Sequence, residues 1–123
     1  MANEVEIYLL DKDSSARKGL HRLLKAAGYR VNAYSSYSQL KEDLDTSQPR
    51  CLILDSNQDS EELDSLRLDI PSEYSSLNIV VLSGEDHVRN EKMARRIGAS
   101  FLLRKPVDGP ALIDTIKWIS GNS

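Results

Sequence analysis

The stretch Cys51-Leu52-Ile53-Leu54-Asp55-Ser56-Asn57 is a short apolar run that ends directly in a carboxylate. An apolar run of that length, without polar alternation, suits a strand buried on both faces, as in a parallel sheet. Working outward, comparable runs stand at Val5 to Leu10, Tyr29 to Tyr34, Ile79 to Leu82 and Phe101 to Leu103. Between them the apolar residues keep helical spacing. Ala16, Leu20, Leu23, Leu24 and Ala27 form one stripe, with Asp13 or Ser14 placed to cap its start and Gly28 to end it. Weaker stripes follow at Tyr37, Leu40 and Leu44 and at Leu63, Leu66 and Ile70. A fourth, Met93, Ala94 and Ile97, stops at Gly98. The fifth opens at Asp108, takes Pro110 in its first turn and buries Leu112, Ile113, Ile116 and Ile119. Strands alternating with helices at this spacing predict an α/β protein: a parallel sheet with helices on both faces. Right-handed crossovers narrow it to a few doubly wound arrangements.

With 123 residues and 13.8 kDa, the chain is expected to form a single domain, residues 1–123 with a core from about 5 to 119. Sixteen Lys and Arg against nineteen Asp and Glu give a net charge of −3, which supplies no electrostatic case for nucleic-acid binding. The single cysteine, Cys51, excludes a disulfide scaffold and a multi-cysteine zinc site; inside an apolar run it reads as a buried hydrophobe. No apolar stretch is long enough to cross a membrane, and Met1-Ala2-Asn3-Glu4 has no signal-peptide character. The expectation is a cytoplasmic, soluble protein. Ser72-Glu73-Tyr74-Ser75-Ser76 is expected to be a polar loop.

Ligands of an open parallel sheet bind beyond the carboxyl ends of its strands. Those ends read Leu10-Asp11-Lys12-Asp13, Leu54-Asp55-Ser56-Asn57, Leu82-Ser83-Gly84-Glu85 and Arg104-Lys105-Pro106. Two carboxylates, one hydroxyl and one ammonium are therefore expected on one rim, and Asp11, Asp55, Ser83 and Lys105 together point to a single site. Asp13, Ser14 and Asp108 stand where caps belong.

These residues, in this order, resemble the receiver domain of two-component response regulators. The resemblance rests on Leu9-Leu10-Asp11, Leu52-Ile53-Leu54-Asp55, Val80-Val81-Leu82-Ser83-Gly84, Gly98-Ala99 and Arg104-Lys105-Pro106, and extends from about Val5 to Ile119. It implies a flavodoxin-like (βα)5 fold with strand order 2-1-3-4-5. It makes Asp55 the phosphoacceptor, Lys105 its cationic partner and Ser83 a hydroxyl donor to the phosphoryl group. Mg2+ would be held by Asp11, Asp55 and the Asn57 backbone carbonyl. It implies a histidine kinase or phosphotransfer protein upstream, and downstream a protein partner or an output domain outside this sequence. By analogy, a homodimer through helices 4 and 5 would be the self-association mode. The domain would signal rather than act as an enzyme, beyond its own phosphoryl transfer and dephosphorylation.

Three positions depart from the family pattern. The second acid after the first strand is replaced by Lys12, whose ammonium cannot ligate magnesium. The segment Ser56-Asn57-Gln58-Asp59-Ser60-Glu61-Glu62 lacks the usual Pro and Gly. The aromatic switch position three residues before Lys105 is Leu102. Two readings follow: a divergent receiver that is still phosphorylated with weakened magnesium dependence, or a pseudo-receiver that docks partners without phosphate. In the second, Lys12 and Lys105 would together neutralise Asp11 and Asp55; the alternative for Lys12 is an outward-pointing, solvated lysine. A small enzyme on a similar sheet is disfavoured, because Asp11-Lys12-Asp13 is no phosphate cradle and Cys51 lies within a strand.

Overall fold

The first apolar run becomes β1 (Glu6–Leu10), and α1 (Ser14–Ala26) follows it. The alternation then continues through β2 (Arg30–Tyr34), α2 (Tyr37–Asp43), β3 (Arg50–Asp55) and α3 (Ser60–Asp69). It ends with β4 (Leu77–Ser83), α4 (His87–Ile97), β5 (Phe101–Arg104) and α5 (Gly109–Gly121). This computed structural model describes residues 5–44, 50–70 and 77–121. The expected polar loop at Ser72–Ser76 and the amino-terminal Met1–Glu4 lie outside the described residues.

All strand pairs are parallel, in the order β2-β1-β3-β4-β5. Period-two alternation divides the core in two. Ile7, Leu9, Cys51, Ile53, Val80 and Leu82 face α1 and α5 and pack on Leu24, Leu112, Ile116 and Ile119. Tyr8, Leu10, Leu52, Leu54, Ile79 and Val81 face the other way, against Leu40, Leu66, Ala94 and Ile97 of α2, α3 and α4. Cys51 is fully buried, and burial pushes its thiol up to about 12, as expected for a hydrophobe rather than a nucleophile.

Two central strands run further than their apolar residues indicate. β3 begins at Arg50 and β4 at Leu77, and both reach the carboxylate or hydroxyl at their far end. Polar strand ends carry no hydrophobic signal but still pair: Arg50 is in register with both Glu6 and Leu77 and bridges to Glu6 at 3.4 Å. Of the expected caps, Asp13 and Asp108 act as such, while Ser14 is the first residue of α1. Asp13 accepts from the Ser15 and Ala16 amides at 2.9 and 3.4 Å, and Asp108 from the Ala111 amide at 3.0 Å.

Gly98 closes α4 with φ of 77°, and a Cβ there would meet nothing within 4 Å. A substitution therefore carries only the backbone penalty of a left-handed conformation. Gly98→Ala is expected to cost about 1 kcal/mol in urea or thermal unfolding, with the cleft chemistry untouched.

Candidate functional site

Backbone bonds carry the sheet one residue past its strands and set the four strand ends side by side. The Asp11 amide donates to the Tyr34 carbonyl at 3.1 Å, Ser56 to Leu82 at 2.9 Å, and Lys105 to Ser83 at 2.8 Å. The Lys105-Pro106 peptide is cis. Lys105 Nζ donates to Asp55 Oδ1, and the Asn57 amide donates to Asp55 Oδ2 at 2.9 Å. The Asp55 carboxylate is thus fixed at both oxygens while its residue is only 4% exposed. A cleft of about 620 Å³ opens over it, walled by Asp11, Asn57, Gly84 and Lys105 and extending between α3 and α4 past Leu63 and Met93.

Asp11 is 1% exposed. Its Oδ1 accepts the Asp13 amide at 2.9 Å, and its Oδ2 is buried with no hydrogen-bond partner. Burial raises the Asp11 carboxyl above the ordinary carboxylate range, and the Asp13 hydrogen bond opposes the rise. The neighbouring Asp55 charge raises it further, while Lys105 pulls it down. A buried, unpartnered carboxylate oxygen beside a second carboxylate is a hard-oxygen donor set that fits a divalent cation such as Mg2+. Among the described residues no His, Cys, Asp or Glu cluster of three or more adds a further candidate.

Lys12 does not enter this site. Its ammonium lies 2.7 Å from Asp59 Oδ1, in an exposed pair that ties the segment after β1 to the segment before α3. Of the two expectations for Lys12, neutralisation of Asp11 and Asp55 alongside Lys105 is therefore corrected, and the outward-pointing lysine is what the structure has. Successive side chains leaving a strand diverge. In addition, Arg17 Nη1 holds the turn by donating to the Asp11 and Lys12 carbonyls at 2.9 and 3.4 Å. Asp59 supplies an acceptor on the solvent side. Asp13, the next acid along the chain, is occupied as the α1 cap.

Ser83 stands at the end of β4 as expected, but it is fully buried and its hydroxyl is turned towards α4 rather than into the cleft. Its Oγ lies 2.9 Å from His87 Nδ1 and accepts from Asn90 Nδ2 at 3.0 Å. Asn90, 7% exposed, also has Ser56 Oγ at 3.2 Å and the Glu85 carbonyl at 2.8 Å, so its two amide hydrogens are shared among three acceptors. Ser56 Oγ further accepts the Gly84 amide at 3.1 Å. Sequence reasoning missed His87, Asn90 and Ser56. On β5, Leu102 packs on the α4 side and Phe101 on the α5 side, as alternation requires. Phe101 meets the exposed Trp118 edge-on, with ring centroids 5.5 Å apart.

The chain matches the response regulator receiver domain family over residues 7–117. It is 24% identical over 126 residues to the transcriptional regulatory protein FixJ of Azorhizobium caulinodans, an alignment that covers 100% of this chain and 58% of that protein. It is 26% identical over 111 residues to the response regulator protein TodT of Pseudomonas putida, covering 90% and 49%. The chain thus spans about half the length of these curated relatives. Among solved structures, full-length FixJ from B. japonicum superposes with a TM-score of 0.81 at 23% identity, covering 96% of this chain and 58% of that one. A response regulator receiver protein from Burkholderia phymatum gives 0.79 at 21% identity, covering 96% of both chains. The family match runs from β1 into α5 on a sheet of the expected strand order, and the chain belongs to the response regulator receiver domain family of two-component signalling.

Proposed function

We propose that Asp55 is the phosphoacceptor of this receiver and that Asp11 and Asp55, with the Asn57 carbonyl, hold Mg2+ beside it. The observation that supports this reading is the Asp11 Oδ2 left buried and unpartnered next to an Asp55 carboxylate already oriented by Lys105 and Asn57. Asp55 attacks the phosphorus of an incoming phosphohistidine or acyl phosphate: a carboxylate O–P bond forms, and the bond to the donor's nitrogen or oxygen breaks. Lys105 Nζ, initially on Asp55 Oδ1, is placed to follow the charge onto a phosphoryl oxygen. When bound, magnesium would offset the negative charge gathered on the phosphoryl oxygens. The Lys12–Asp59 pairing directs the Lys12 ammonium away from the two carboxylates.

On this reading the donor is a histidine kinase or phosphotransfer protein, and the output passes to a protein partner or to a further domain of the kind its longer relatives have room for. Residues 1–123 form one domain, and its setting is the cytoplasm. No helix among the described residues is long and apolar enough to cross a membrane. The test is intact mass spectrometry after incubation with acetyl phosphate, with and without magnesium. One phosphoryl adduct, enhanced by magnesium, is the expected result. No adduct from acetyl phosphate or from a kinase-side donor leaves the docking module as the reading.

A further inference from the structure

We propose that His87 is a positioning residue that latches the Ser83 hydroxyl away from the phosphorylation cleft, so that His87 and a phosphoryl group on Asp55 compete for one proton. The inference rests on the reading of Asp55 as phosphoacceptor and adds a residue that sets how readily this site responds. A serine hydroxyl has one proton to donate. Asn90 Nδ2 lies 3.0 Å from Ser83 Oγ and can only donate, so the acceptor within reach of the Ser83 proton is His87 Nδ1, at 2.9 Å. The far side of the ring favours one tautomer. Nε2 lies 3.5 Å from Glu91 Oε1, and a carboxylate only accepts, so the ring hydrogen belongs on Nε2 and Nδ1 is the acceptor.

The same network holds the rest of the segment between β4 and α4. Asn90 binds the Glu85 carbonyl, and the Gly84 amide is held on Ser56 Oγ. Asp86, at the end of this segment, sits in the left-handed region with φ of 57°, an unfavourable conformation for a residue with a Cβ. On this inference the segment is seen latched, and a released arrangement is the alternative that modification would select. Modification at Asp55 selects the released one only by outbidding His87 for the Ser83 proton.

The experiment uses beryllofluoride with magnesium as the phosphoryl mimic, titrated against wild type, His87→Ala, Asp55→Asn and Ser83→Ala. One neutral hydrogen bond fewer in the latched state is expected to tighten the apparent affinity of His87→Ala about fivefold. In wild type, the His87 ring-nitrogen NMR signals are expected to report an unprotonated, hydrogen-bonded Nδ1. That signal should shift on Ser83→Ala without any ligand, and shift the same way when beryllofluoride binds. Unchanged or weaker affinity in His87→Ala, with wild type binding normally, overturns the latch alone. So does a His87 signal indifferent to Ser83→Ala. Failure of wild type to bind beryllofluoride overturns the phosphoacceptor reading itself, and the latch with it.

Discussion

Asp55→Asn is expected to abolish the phosphoryl adduct completely while leaving the fold intact. The replacement keeps the volume of the side chain and an oxygen able to accept the Asn57 amide or the Lys105 ammonium. It removes the carboxylate, and with it the nucleophile. The neighbourhood makes the assignment demanding, because Ser56 and Ser83 stand at adjacent strand ends and a serine phosphate adds the same mass. Lability to hydroxylamine separates them: it attacks the acyl carbon of an acyl phosphate on Asp55 and releases phosphate, whereas a phosphoserine survives it. The expected result is a hydroxylamine-labile adduct in wild type and none in Asp55→Asn, with matching circular dichroism for the two proteins. An adduct that persists in Asp55→Asn would place the acceptor elsewhere.

Much of this architecture is legible in the chain because its strands are buried on both faces. A run such as Leu52-Ile53-Leu54 has no polar face, so it reads as a parallel strand without knowledge of its partners. The same property hides the strand ends, where Arg50 pairs with Leu77 and Asn78 with Cys51, each pair including one polar side chain. Asp11, Asp55 and Lys105 were legible for a related reason: a charge directly after a buried run has a strand end beneath it. What the sequence does not encode locally is direction. Lys12 follows Asp11 immediately yet turns to Asp59, forty-seven residues away along the chain. Ser83 occupies the expected position, but its hydroxyl faces α4.

The α4 contribution was missed for a specific reason. Met93, Ala94 and Ile97 are the apolar stripe of that helix, and the same face continues towards its start through Asn90 and His87. Asn90 lies three and four residues before Met93 and Ala94, so helical spacing places it on the buried side. A buried amide at the first turns of a helix has to be satisfied by whatever the helix abuts. Here that is the rim carrying Ser56 and Ser83, and Asn90 meets both. A polar residue continuing an apolar stripe towards a strand-end site was the available signal.

Asp11→Asn is expected to have the largest effect on the metal: at least a tenfold loss of magnesium affinity, together with a more stable metal-free protein at neutral pH. The first part follows from removing a formal charge and the orphaned Oδ2 in one substitution. The second follows from the direction of the Asp11 shift. Its carboxyl titrates above the ordinary range because it is buried, with Asp55 adding repulsion. A carboxyl that is harder to ionise in the folded state costs stability once ionised. That cost is absent below the unfolded value near pH 4, grows as pH rises through the higher folded value, and is complete beyond it. The gain from Asp11→Asn should therefore appear at pH 7 and vanish in acid. Part of the cost is Asp55's charge, so the gain should shrink when Asp11→Asn is made in the Asp55→Asn background. Thermal unfolding from pH 3 to 8, with and without magnesium, measures both parts. Wild type should gain stability on adding magnesium and Asp11→Asn should gain little. A variant that is less stable at pH 7, or that keeps the full magnesium response, would show that the Asp11 carboxylate is a structural acceptor for the Asp13 amide and not a metal ligand.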